Sequence, residues 1–383
     1  SACTVSTGRT TSADDLGALP QSGTLRSCRP HIPLSHGESY HEIKPELPEG
    51  VVPISEHIRN SKPICNGFYP HEVLLLSYAP RYTTKQTEYP KFWLYKYGIA
   101  DIHEELKKLI LRGAVKYGTL QDTVNHATLV EIKKVLAQKG VPQTGTKAKL
   151  CERLFQNFTE KELNVIFDDR CYQLTELGEE IIKECDWIPY IHNHLIEDLD
   201  IWNFSDMMGK ASKGVTYRDV LWGYLNQKSQ EHYIKGDFGL YGCTCYTMAQ
   251  IAEAGGRLET ALSLLYLVII TDLSRCDNGY RDTPFEIFIM VKKTFLYPYE
   301  KALGKIAPAI IKDMCRLTEK LHMDEQQIRA DFATETEDFS LPFMFFTRKE
   351  CENIMIAEMK GDYDTLNRIY DEANKRFCVQ YGE

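Results

Sequence analysis

The sequence lacks a hydrophobic segment long enough to cross a membrane. Its most apolar stretch, residues 261–270, is about half as long as the roughly 20 residues that a spanning helix needs. Hydrophobic residues make up 43% of the 383 residues and charged residues 26%, which is ordinary for a globular chain. We therefore expect no membrane partner, and the length predicts two or three domains.

An excess of basic residues is also missing. The chain has 45 Lys and Arg against 54 Asp and Glu, a net charge of −9. Proteins that bind nucleic acid usually present a basic surface. If this chain binds nucleic acid, the basic surface that does so is therefore expected to be confined to one part of the chain.

The twelve cysteines form no CxxC pair. Structural zinc needs four ligands that converge, and no spacing here resembles a zinc finger or ribbon. The closest pair, Cys243 and Cys245, falls in a predicted helix, where residues two apart point to different faces. We expect buried free thiols, no metal site and a reducing, cytoplasmic location.

Sequence motifs of catalysis are scarce. There is no glycine-rich phosphate loop of the Walker or Rossmann type and no GxSxG elbow. His192 and His194 are two residues apart, whereas two metal ligands on one face of a helix are three or four residues apart. The sequence therefore predicts no catalytic residue and no cofactor. The alternative is an enzyme whose site forms only in three dimensions.

The first 60 residues are predicted to be a flexible tail. Residues 1–50 contain 12 Ser and Thr, 5 Pro and 5 Gly, without a periodic run of apolar residues. Such a segment cannot bury enough surface to offset the entropy lost on ordering. A partner-binding arm is the alternative interpretation.

Residues 61–186 contain the parts of a winged-helix domain. Helical patterns at 70–79, 90–97 and 102–111 precede short strands at 114–117 and 171–174, and a capped helix begins after Thr175. The pieces LILRGAVKYG and YQLTELGEEII resemble the two ends of the wing in winged-helix families. This resemblance implies that residues 119–170 are inserted at the wing tip. The alternative is a helical domain followed by an unrelated linker.

Two short amphipathic helices are predicted inside this insertion. Thr128 and Glu131 have the spacing of a capping box, and an apolar stripe follows them up to Leu136. Gly140 ends the first helix, and a second begins after Gly145. With a loop of about seven residues between them, the helices are expected to form a helical hairpin.

Residues 128–156 resemble the SAP family, a small helix–extended loop–helix module associated with DNA. Apolar, glycine and basic positions all match this family, at Leu129, Ile132, Lys133, Leu136, Gly140, Val141, Gly145, Lys147, Leu150, Arg153 and Leu154. The resemblance implies a DNA partner.

The charge of the same segment favours an anionic ligand. Residues 128–156 carry six bases and two acids, a local charge of +4. Backbone N–H groups at the start of the second helix are suited to bind a phosphate. The predicted nucleic-acid-binding residues are Lys133, Lys134, Thr144, Gly145, Thr146, Lys147, Lys149 and Arg153. The predicted function is DNA binding, and the alternative is a protein-interaction scaffold whose basic hairpin binds an acidic protein surface.

Residues 187–383 are predicted to form a helical domain. Residues 248–266 resemble a tetratricopeptide unit, and residues 356–370 resemble it more faintly. Such surfaces bind peptides or self-associate. The predicted fold class is therefore mainly α, with a winged-helix-like domain, an inserted SAP-like module and a helical bundle or repeat-like domain.

Overall fold

The computed structural model describes residues 47–194, 196–292, 299–302 and 304–382. The predicted tail at residues 1–46 lies outside the described residues. The described chain is mainly helical, which confirms that the fold class is mainly α. It divides into two compact units, whose described parts are residues 47–213 and 214–382.

The described part of the first unit contains eleven helices and two short strands. They are α1 (Ile54–Asn60), α2 (Pro70–Tyr78), α3 (Phe92–Tyr95), α4 (Ile102–Leu111), β1 (Val115–Tyr117), α5 (Leu120–His126), α6 (Leu129–Gln138), α7 (Lys147–Asn157), α8 (Glu160–Ile166), β2 (Tyr172–Leu174), α9 (Glu176–Glu184), α10 (Trp187–Asn193) and α11 (Ile201–Lys210). Most of their boundaries follow local signals. The Asp101 side chain, for example, accepts a hydrogen bond from the Glu104 N–H and so caps α4.

The two strands pair antiparallel, with Val115 opposite Leu174 and Tyr117 opposite Tyr172. The second strand is therefore not part of an unrelated linker. The chain leaves the ladder after β1 and returns to it at β2, so everything between them is an insertion between paired strands.

The boundary between the two units falls after residue 213, not after residue 186 as predicted. Both α10 and α11 pack against α2. Trp202 of α11 stacks between His57 and His71, with ring centroids 4.9 and 5.4 Å apart. These two helices belong to the first unit because their apolar faces are buried there.

The predicted tail also extended too far along the chain. Its last part forms α1, and the Ile54 N–H donates to the carbonyl oxygen of Gly98 at 3.2 Å. His57 in this helix makes the stacking contact with Trp202. Long-range contacts of this kind order a segment whose local composition favours a tail.

A partly buried histidine connects α10 to the aromatic core of the first unit. The Tyr97 hydroxyl and the His192 Nδ1 atom form a hydrogen bond at 2.6 Å. Burial lowers the pKa of His192 to about 4 from its ordinary 6.5, and the nearby Lys96 ammonium adds to the shift. His192 is therefore neutral in the folded protein at neutral pH.

This histidine predicts a loss of stability in mild acid. Because the folded pKa lies below the unfolded one, the unfolded chain binds more protons between pH 6.5 and pH 4. The free energy of unfolding should fall across that range by about 3 kcal/mol. Urea titrations at several pH values measure this, and His192→Gln should flatten the profile. The exposed His126→Gln is the control, and a profile unchanged by His192→Gln would contradict the prediction.

The described part of the second unit contains eight helices. They are α12 (Tyr217–Lys235), α13 (Phe238–Ala254), α14 (Leu258–Ser274), α15 (Phe285–Lys292), α16 (Pro308–Lys320), α17 (Glu325–Glu335), α18 (Arg348–Lys360) and α19 (Tyr363–Tyr381). They share one core that includes Tyr266, Phe332 and Tyr370. The two segments that resemble tetratricopeptide units each span a turn between packed helices, α13–α14 and α18–α19.

The ten cysteines in the described residues are free thiols. Seven are buried, Cys243 and Cys315 are partly buried, and Cys378 is exposed. The described residues contain no group of three or more His, Cys, Asp or Glu side chains that could hold a metal ion. Among these residues, no helix combines the length and the apolar character that spanning a membrane requires.

Candidate nucleic-acid interface

The insertion between β1 and β2 has a hydrophobic core of its own. Its four helices, α5 to α8, enclose a cluster of buried side chains made of Val124, Ile132, Val135, Leu136, Leu150, Cys151, Leu154, Phe158, Leu163 and Phe167. Capping boxes start α5 at Thr119, α6 at Thr128 and α8 at Thr159. The insertion is thus a compact module, and we call it the four-helix module.

Helices α6 and α7 run in the same direction, so the predicted helical hairpin is wrong. Lys139 at the end of α6 donates from Nζ to the carbonyl oxygen of Asn157, the last residue of α7, at 2.9 Å. In an antiparallel hairpin these ends would lie a helix length apart, about 16 Å for 11 residues. The loop at residues 139–146 is long enough to return to the start of α7, at about 3.3 Å per extended residue.

The start of α7 differs from the other helix starts in this module. Thr146 is its N-cap residue, but the Thr146 side chain accepts no hydrogen bond from the first turn, which also holds no acidic residue. Lys147 and Lys149 occupy that turn instead. The N-terminal N–H groups of a helix carry partial positive charge and attract anions. This end of α7 is therefore electropositive and has no carboxylate of its own.

Arg153 fixes the loop that leads into α7. Its Nη1 atom donates to the carbonyl oxygens of Pro142 and Thr144, at 2.9 and 2.6 Å. Gly145, the residue after Thr144, has a φ of +129°, which a residue with a side chain rarely adopts. Sequence analysis predicted a direct phosphate contact for Arg153, but here it positions the loop.

The four predicted lysines have no ion-pair partner within the described part of the chain. Three of them are exposed, Lys133, Lys134 and Lys149, and Lys147 is half-buried. Lys139 is engaged in contrast, because it pairs with Glu162 at 2.8 Å and lies 4.2 Å from the centre of the Phe158 ring. Its hydrogen bond and the Thr159 backbone lower the pKa of Glu162 to about 2.

Lys134 lies elsewhere on the four-helix module. It lines a cavity of about 390 Å³ together with Glu131, Asp168 and Asp169, and no residue of the loop 142–146 lines this cavity. Of the predicted residues, the structure instead brings Gly145, Lys149 and Arg153 together. A Cβ atom at Gly145 would lie 3.7 Å from Lys149 Cβ and 3.8 Å from Arg153 Nη2.

The residues of the predicted site thus have different roles. Thr144, Gly145 and Thr146 are exposed and form the loop and cap, while Lys147 and Lys149 supply charge at the start of α7. Arg153 holds the loop, and Lys134 belongs to a separate surface. No protein-family model matches this chain, and neither a curated protein nor a solved structure is significantly similar to it.

Proposed function

We propose that this protein binds DNA through phosphate contacts made by its four-helix module. The observation that carries the proposal is the start of α7, where an uncapped helix end and two lysines without ion-pair partners in the described chain share one turn. Free N–H groups and ammonium groups are the donors that phosphate oxygens accept. Such contacts give affinity without reading the base sequence. In this proposal residues 128–156 are a SAP-like segment.

The domain that carries the module is proposed to be winged-helix-like. Its order of elements supports this, since α2, α3 and α4 precede paired strands β1 and β2 and a closing helix α9. The lysines of α4 are partly neutralised. Lys107 Nζ lies 3.7 Å from Glu104, and Lys108 Nζ lies 2.7 Å from Glu105. We therefore assign the larger part of the affinity to the four-helix module.

Single alanine substitutions test the phosphate contacts. Each of Lys147→Ala and Lys149→Ala should weaken binding to a duplex of any sequence. Each should also flatten the plot of log affinity against log salt by about one unit, because one phosphate is no longer neutralised. Fluorescence anisotropy titrations at several salt concentrations measure both quantities.

Two further variants sharpen this test. Lys161→Ala removes an exposed lysine of α8 from the same module and should leave both quantities unchanged. Arg153→Ala should weaken binding through disorder of the loop, and Arg153→Lys should not restore it, since the two carbonyl contacts need the forked guanidinium. Equal effects of Lys147→Ala and Lys161→Ala would place the DNA contact elsewhere.

A further inference from the structure

Helix α1 lies on the first unit without burying any of its own residues. We call residues 52–60, which include this helix, the strap. The Ile54 N–H of the strap donates to the carbonyl oxygen of Gly98 at 3.2 Å, and the His57 ring stacks on the Trp202 ring. Because none of its own side chains is buried, the strap can leave the first unit at a smaller cost than a core element.

The backbone of the strap lies directly against Gly98. A Cβ atom at Gly98 would lie 2.0 Å from the carbonyl oxygen of Val52 and 2.9 Å from Pro53 Cα. Both distances are shorter than van der Waals contact, so a methyl group at this position would force the strap away. Gly98→Ala is therefore a variant in which the strap is displaced at every pH.

Trp202 holds the strap through stacked rings. The His57 and Trp202 rings lie 4.9 Å apart between centroids and within 5° of parallel, and the His71 ring stacks on Trp202 at 5.4 Å. Trp202 and His71 are buried, and His57 is partly buried by its contact with them. Docking of the strap thus removes water from a titratable ring, which disfavours the charged form of that ring.

The charged groups that face His57 do not offset its burial. Burial has the largest effect and lowers the pKa of His57, and His71 on α2 acts in the same direction. Asp200 at the start of α11 and Glu56 on α1 itself act in the opposite direction. The Asp200 side chain is already engaged, because it accepts two backbone N–H groups at 2.8 Å, including that of Trp202. The pKa of His57 therefore lies below its ordinary value of 6.5.

We propose that the strap is a pH-sensitive device, which is docked while His57 is neutral and is released when His57 is protonated. A proton binds more tightly to His57 in the released strap, where water surrounds the ring. By linkage, protonation favours release by the same factor. Between pH 7 and pH 5.5 the ratio of released to docked strap should rise by up to about eightfold, the limit for a released histidine with a pKa of 6.5. The strap lies outside the four-helix module, so this device is independent of DNA binding.

Histidine NMR on the full-length protein tests this linkage. The pKa of His57 is measured with isotope-labelled histidine, and His57→Gln assigns its signal. The pKa should be lower in the wild type than in Gly98→Ala, where the strap is displaced. Gly113→Ala is the matched control and should keep the wild-type pKa. Gly113 has a φ of +75°, close to the +62° of Gly98, but nothing lies within 4 Å of a Cβ atom placed there.

A second readout follows the position of the strap. In protein labelled with fluorotryptophan, the fluorine resonance of Trp202, assigned with Trp202→Phe, should shift in Gly98→Ala but not in Gly113→Ala. In the wild type it should move toward the Gly98→Ala position as the pH falls from 7 to 5.5, and His57→Gln should remove this movement.

Two results would overturn the proposal. The first is a pKa of His57 in the wild type that equals or exceeds the value in Gly98→Ala, which attraction between an imidazolium and the indole would produce. The second is a movement of the Trp202 resonance with pH that is the same in the wild type and in His57→Gln. Circular dichroism confirms that each variant is folded.

Discussion

Replacing residues 119–170 with an Asn-Gly turn is expected to leave the first unit folded and to remove most of its DNA affinity. The four-helix module has its own core, so its removal leaves few exposed apolar side chains behind. The chain leaves and re-enters the ladder at Tyr117 and Tyr172, which lie opposite each other. An Asn-Gly turn suits such a two-stranded connection. The shorter loop also has a smaller entropic cost of closure.

Two measurements check this replacement. The melting temperature should stay the same or rise slightly, because the shorter loop closes at a smaller entropic cost. The Lys85–Asp168 pair that is lost is exposed, and exposed pairs contribute about 0–1 kcal/mol. The magnitude of the salt slope should fall by about 0.9 for each phosphate contact removed. Global unfolding would contradict the module's independence, and undiminished DNA affinity would contradict the proposed function.

Gly178→Ala is expected to destabilise the first unit strongly. Gly178 lies in the first turn of α9, and a Cβ atom there would lie 2.2 Å from the carbonyl oxygen of Ala114. That oxygen also accepts a hydrogen bond from the Thr175 N–H, so it cannot move away freely. We expect the free energy of unfolding to fall by about 3 kcal/mol, because α9 must move away from the Ala114 backbone to make room for the new methyl group.

Gly209→Ala is the matched control for this substitution. Gly209 lies in α11, and nothing lies within 4 Å of a Cβ atom placed there. Alanine has the higher helix propensity, so this variant should be more stable by about 0.5–1 kcal/mol. Urea unfolding followed by circular dichroism measures both changes. If Gly178→Ala has the same effect as Gly209→Ala, helix α9 does not pack closely against the carbonyl oxygen of Ala114.

Local signals in the sequence were sufficient for most elements of the first unit. The capping box of Thr128 and Glu131 and the stop at Gly140 gave α6 its correct position. The strand pairing was also predicted from short alternating segments, although they are far apart in the chain. The helix boundaries are readable because each depends on residues within one or two turns of each other.

Long-range contacts account for what the sequence analysis missed. The return course of the loop between α6 and α7 depends on Arg153 and its two backbone acceptors, which no periodicity reveals. Helix α8, which has seven residues, was also missed, although its capping box at Thr159 was a readable signal. The unit boundary depends on the packing of Trp202 against His57. The capping box of Thr216 and Asp219, which begins α12, was the local sign of the next unit.

Because most cysteines of the described residues are buried, the exposed Cys378 is a selective site for chemical labelling. Burial raises the pKa of the Cys245 thiol to about 12 and also raises that of Cys351. Thiol-directed reagents attack the thiolate, so these side chains should react slowly. Cys378, in α19, is the exposed cysteine of the described residues. In a variant with Cys3→Ser and Cys28→Ser, a maleimide dye should therefore attach mainly there, which would place a fluorescent reporter on the second unit without any engineered cysteine.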